Sequence, residues 1–103
     1  MKRATKLKAL AAQAREDLAA RLLAPDVVLA RMAEVAVAGG NLLRLSLDVP
    51  ADLRRTAAAE HLVALLMREG FSVTWESRLF SAKQSITGHD VTVSEPVIGW
   101  DQV

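Results

Sequence analysis

The groups able to move protons or hold a metal are few. Two histidines, His61 and His89, could serve as general bases or ligands. A metal site needs three or four ligands at local spacing, however, and the chain has neither an HExxH pattern nor any cysteine. His89-Asp90 follows Gly88 and reads as a turn. Serines at 46, 72, 77, 81, 85 and 94 lack a Gly-x-Ser-x-Gly setting, and no serine–lysine motif is present. Gly39-Gly40 is not a phosphate loop, since no Gly-Lys-Ser/Thr follows and a strand pattern comes next. Glu60 and Glu69 lie on one helical pattern but point about 180° apart, so they cannot share a substrate as acid and base. No catalytic residue, metal ligand set or cofactor is expected, and the chain reads as non-enzymatic.

Cationic groups offer a different chemistry. Lys2, Arg3, Lys6 and Lys8 precede any acidic residue and could hold a nucleic-acid backbone nonspecifically. On a helical wheel they scatter around the polar side, with no aromatic between them for base stacking, so a soluble helix start is the plainer reading. Arg54, His61 and Arg68 recur every seven residues and could form a cationic ridge; an ordinary solvated face gives the same spacing. Lys2, Arg3, Lys6, Lys8, Arg54 and Arg68 are therefore the candidate nucleic-acid contacts, as an alternative to protein contact. Trp75 and Trp100 are large enough to anchor an interface; Trp75 is assigned to the core and Trp100 kept as a candidate contact.

These residues belong to a chain of 103 residues, the size of a single domain covering 1–103. Apolar residues make up 51%, but only Phe71, Phe80, Trp75 and Trp100 are aromatic and much of the rest is alanine. A core so thin in large side chains would gain from burying another face in an oligomer, at roughly 25 cal/mol per Å² of apolar surface. The net charge of +1 gives no global attraction to nucleic acid or to an anionic membrane. No apolar run approaches the roughly 20 residues that span a bilayer. Gln13, Arg15, Glu16 and Asp17 interrupt the start in a way no signal peptide tolerates, which makes the cytoplasm the default compartment.

The elements follow from periodicity. Leu7, Leu10, Ala11, Ala14, Leu18 and Leu22 form one stripe at 100° steps, predicting an amphipathic helix over about 4–23. Pro25 suits the first turn of a second helix, about 26–38, with Asp26 near its positive end and Gly39-Gly40 terminating it; one helix kinked at Pro25 is the competing reading. Leu43, Leu45 and Leu47 alternate with Arg44, Ser46 and Asp48 as a half-buried strand. A helix over about 51–69 follows Pro50 and stops at Gly70. Phe71, Val73 and Trp75 then mark a second strand, parallel to the first and either adjacent to it or one strand away. Residues 78–90 read as a loop or hairpin tip. Val91 and Val93 begin a third strand that Pro96 ends or confines to an edge.

The expected fold class is α+β: a helical segment (1–38), then a βαββ unit (41–100) forming a small three-stranded mixed sheet with helices on one face. On the 51–69 helix the apolar arc runs from Leu65 and Ala58 through Leu62, Leu66 and Ala59 to Val63 and Met67. It covers about half the circumference, against the ~100° that one facing surface requires. The surplus must meet the N-terminal helices, a partner subunit or both. Ala59, Val63, Met67 and Trp100 are accordingly the candidate interface residues of a homo-oligomer.

Gly39-Gly40, the strand Leu43 to Leu47, the run Arg68-Glu69-Gly70-Phe71-Ser72-Val73 and the closing Val97 to Trp100 give residues 28–100 a recognisable cadence. In this the chain resembles small α+β proteins encoded by tailed phages and prophages. The resemblance implies no assigned activity. It implies an accessory protein, either virion-associated or acting on a host or defence component inside the bacterial cell, so that an unidentified protein joins the second copy suggested by the apolar arc as an expected partner. Glu95-Pro96-Val97 departs from the family's simple strand-into-Trp ending and implies a broken last strand. A small-molecule-sequestering protein is a third class, since pockets between subunits leave no motif.

Overall fold

The computed structural model describes residues 2–47, 51–81, 88 and 90–100. Its elements are α1 (Arg3–Leu22), α2 (Pro25–Val37), β1 (Leu42–Arg44), α3 (Ala57–Arg68), β2 (Ser72–Phe80) and β3 (Val91–Gly99). This is the expected α+β order, with helices on one face of a three-stranded sheet. The helix breaks at Pro25 rather than kinking: Ala24 is extended and Pro25 opens α2, where its missing amide costs nothing. Gly39 at φ 93° and Gly70 at φ 96° end α2 and α3 in the left-handed conformation that only glycine takes freely.

The sheet order is β1-β3-β2. β1 and β2 run in the same direction but lie one strand apart, with β3 antiparallel to both. The expected mixed sheet is therefore purely antiparallel. The last strand is also unbroken and central, against the expectation that Pro96 would end it or confine it to an edge.

Pro96 is tolerated because of where its missing amide points. Its carbonyl accepts from the Leu45 amide at 3.0 Å, so its nitrogen too faces the β1 side, beyond the last β1 residue, Arg44. Toward β2 it faces Trp75 in a pair that exchanges no hydrogen bonds, so that ladder loses nothing.

Strand parity divides the sheet. Leu43, Leu45 and Leu47, with Ile98, Val73 and Trp75, face the helices. There they meet Ala19, Leu23, Val28, Met32, Leu53, Ala59, Leu62 and Leu66 in one core. At Gly99, β2 and β3 approach closely: a Cβ there would lie 2.8 Å from Ser72 Oγ, which donates to the Gly99 carbonyl.

α3 begins later than periodicity suggested, at 57 rather than 51. Thr56 is extended, its Oγ1 accepts from the Ala59 amide at 3.2 Å, and its hydroxyl donates to the Leu53 carbonyl at 2.7 Å. The chain before it is a turn that buries Leu53. Thr56→Ala removes both bonds and is expected to cost about 1–2 kcal/mol, read as a lower urea midpoint. A midpoint unchanged from the parent would show that the cap is idle. In the 78–90 segment, Arg78 to Phe80 extend β2 and Gly88 takes a turn-like φ of 76°; residues 82–87 and His89 lie outside the described residues.

Candidate interaction surface

α1 is anchored at one end only. The Glu16 carboxylate accepts from the Ala57 amide through both oxygens at 3.1 Å, capping the positive end of α3. Ala19 and Leu23 are buried, and Leu18 and Leu22 pack on the core. Every residue from 2 to 15 is exposed, including Leu7 at 64% and Leu10 at 58%. Alanine-rich sequence supplies the helix propensity that this arm needs, since Lys2 provides no side-chain cap and the first turn has no acid. The molecule is accordingly elongated. Its radius of gyration is 15.4 Å, against ~13 Å for a compact domain of 100 residues.

The projecting arm carries Lys2, Arg3, Lys6, Lys8 and Arg15, and no carboxylate before Glu16. Four of the six candidate cations thus sit together on an open surface. Arg54 does not join Arg68 and His61. It lies in the turn before α3, with its guanidinium 5.5 Å from the centre of the Trp75 ring. The seven-residue ridge is lost because the helix that would display it starts after Arg54; His61 and Arg68 remain exposed on α3.

Of the candidate interface residues, Ala59 is 1% exposed and belongs to the core, reaching the surface only as part of the wall of a groove beside α3. The chain itself absorbs part of the apolar arc, because α1 and the sheet cover Ala59, Leu62 and Leu66. Val63 is half-buried and Met67 is 61% exposed. With Arg54, Glu60, Ala64 and Trp75 they line a groove of about 360 Å³. Trp100 is half-buried and meets Phe71 edge-on, ring centres 6.5 Å apart. Both rings line an apolar groove of about 260 Å³ against Leu29, Met32, Ala33 and Ala36 of α2.

The opposite face of the sheet holds a site that sequence reasoning missed. Glu95 is 5% exposed, which places its carboxyl group out of water. Its Oε2 accepts from the Leu47 amide at 2.9 Å and from Arg78 Nη1 at 3.2 Å. Arg78 Nη1 also donates to Ser46 Oγ at 2.6 Å, and its guanidinium stacks 4.7 Å from the centre of the Phe80 ring. Beside this cluster Arg44 and Glu76 pair at 2.9 Å. These long side chains cover Phe80, Val93 and Val97, which are buried without a helix above them. The arrangement is a polar clamp rather than a reaction centre. Glu95's two observed partners hold it in place.

Among the described residues no three His, Asp or Glu side chains converge where a metal could bind, and no helix is long and apolar enough to cross a membrane. What the fold and surface define is an α+β domain with an open amphipathic arm and two apolar grooves. Compared with known proteins, the chain matches no family model, no curated protein and no solved structure.

Proposed function

We propose that the protein is a non-enzymatic accessory protein of tailed-phage type that acts by protein–protein contact, assembling with copies of itself and engaging a further protein. The observation that carries this reading is the arm of α1. Its stripe of Leu7, Leu10, Ala11 and Ala14 continues the one that Leu18 and Leu22 bury, but it stays exposed among the described residues. A helix of this length is marginal when isolated in water, and a partner surface supplies the missing burial.

The test is the solution mass of the parent chain and of a Leu7→Glu/Leu10→Glu variant. Both leucines are exposed, so stability should stay within about 0.5 kcal/mol of the parent. The parent is expected to have a mass above that of two 11.1 kDa chains, and the variant a smaller one. A parent mass of one chain at micromolar concentration overturns self-assembly, and an unchanged variant mass overturns the role of the arm.

A second reading is favoured by the five cations gathered on that arm with no carboxylate among them: nonspecific binding of nucleic acid. It requires retention of DNA or RNA that falls steeply with salt and weakens in Lys6→Glu/Lys8→Glu. Retention indifferent to that reversal excludes it.

A further inference from the structure

β2 is nine residues long and forms one edge of the sheet. Because Val73 faces Ile98 and Trp75 faces Pro96 in pairs without mutual hydrogen bonds, Val73, Trp75, Ser77 and Leu79 turn their amides and carbonyls outward. Among the described residues no strand or loop backbone bonds to that side. Edges of this length are ordinarily blunted by proline, charged side chains or a bulge; Ser72–Phe80 has no proline, pairs residue for residue with β3, and carries two charges, Glu76 and Arg78, that are both paired within the chain. Leu79 is 60% exposed on the helix-bearing face.

We infer that β2 is the pairing edge of a dimer, in which a second copy of the chain adds its own β2 antiparallel, centred on Ser77, to give a six-stranded sheet. This rests on the self-assembly proposed above and names a surface for it distinct from the α1 arm. The register follows from chemistry. A two-fold at Ser77 sets Glu76 of each copy opposite Arg78 of the other, in the closer type of antiparallel pair, so that opposite charges face each other twice and extend the ion pairs each already makes within its chain, to Arg44 and Glu95. Moving the axis to Glu76 puts two carboxylates face to face, and moving it to Trp75 leaves Glu76 opposite Thr74 with no charge pair. On the other face, the Ser77 register sets Leu79 opposite Trp75 of the second copy, at the mouth of the groove lined by Val63 and Met67. The most exposed apolar residue of β2 thereby meets the groove that α3 leaves unfilled.

The chain has no cysteine, so one introduced thiol reports on the register alone. At the two-fold the paired Cα atoms lie about 5.5 Å apart, within the roughly 4.4–6.8 Å that a disulfide spans. Ser77→Cys is expected to become a covalent dimer under mild oxidation, while Thr74→Cys, exposed on the same strand but opposite Phe80, stays largely single. Ser77→Pro removes an amide that serves only the outer edge and should weaken the dimer about tenfold or more, leaving the urea midpoint of the chain near that of the parent. Both effects are measured in the Leu7→Glu/Leu10→Glu background, where the arm contributes nothing, and that background is expected to remain a dimer. A parent of one-chain mass overturns the edge and self-assembly together. An assembled parent whose Ser77→Cys and Thr74→Cys forms cross-link alike, or whose Ser77→Pro form dimerises undiminished, overturns the edge alone.

Discussion

Replacing Glu95 by alanine is expected to cost about 2–4 kcal/mol of unfolding free energy, read as a lower urea midpoint at unchanged slope. The Glu95 side chain is 7% exposed and Arg78's is 34% exposed. Removing the carboxylate strands the amide of Leu47, itself 7% exposed, and takes the counter-charge from a half-covered guanidinium. Water reaching Arg78 recovers part of the loss, which places the estimate below the upper end of the ~3–5 kcal/mol for breaking a fully buried pair. Glu95→Gln keeps an acceptor for Leu47 and should cost about half as much. Glu95→Met combined with Arg78→Met removes both charges, and should lie closer to the parent than Glu95→Ala does. An alanine variant as stable as the parent would show that the clamp holds nothing.

Ile98→Ala should be at least as damaging, at about 2–5 kcal/mol. Ile98 is fully buried near the end of the middle strand, facing Leu43 on one side and Val73 on the other, and it belongs to the core shared by the sheet and the helices. Its neighbours Leu43 and Val73 are held in paired strands and can move little into the space, so most of the cavity should persist. A domain of this size has only about 5–15 kcal/mol to lose. Leu10→Ala on the open arm removes as many carbons as a buried leucine truncation, yet should shift the midpoint by less than about 0.5 kcal/mol. Equal losses at Ile98 and Leu10 would contradict the burial that separates them.

The helical half of the fold was legible because its signals are local. The 3.6-residue stripe from Leu7 to Leu22, Pro25 and Gly39 place α1 and α2 within a residue or two of where they lie. β1 was legible from leucine alternation, although only Leu42–Arg44 pairs and Leu45 and Leu47 are buried beyond it. α3 was overextended because residues 51–55 have good helix propensity. The hydrogen bonds of Thr56 decide its start. Pro96 misled most. Its cost depends on which neighbour its nitrogen faces, and that is a property of the assembled sheet rather than of the chain. Once β3 is cut short, Glu95 falls outside it. With the strand continued, parity alone puts Ser46, Arg78 and Glu95 on one face. The interface residues were legible as an arc but not in their division: nothing local distinguishes Ala59, 1% exposed, from Met67, 61% exposed.

The place of β3 between its neighbours also orders the route to the native state. β2 and β3 can zip together from their shared connection, but β1 meets β3 by joining Leu42 to Gly99 across more than half the chain. That loop must close before its contacts repay the lost freedom, so the slow step is the docking of β1 onto a hairpin already formed. During synthesis β1 emerges first and must wait for β3. In the interval α2 is the neighbour already made for the leucines of its inner face, and the bond from the Leu47 amide to Glu95 can form only once β3 arrives.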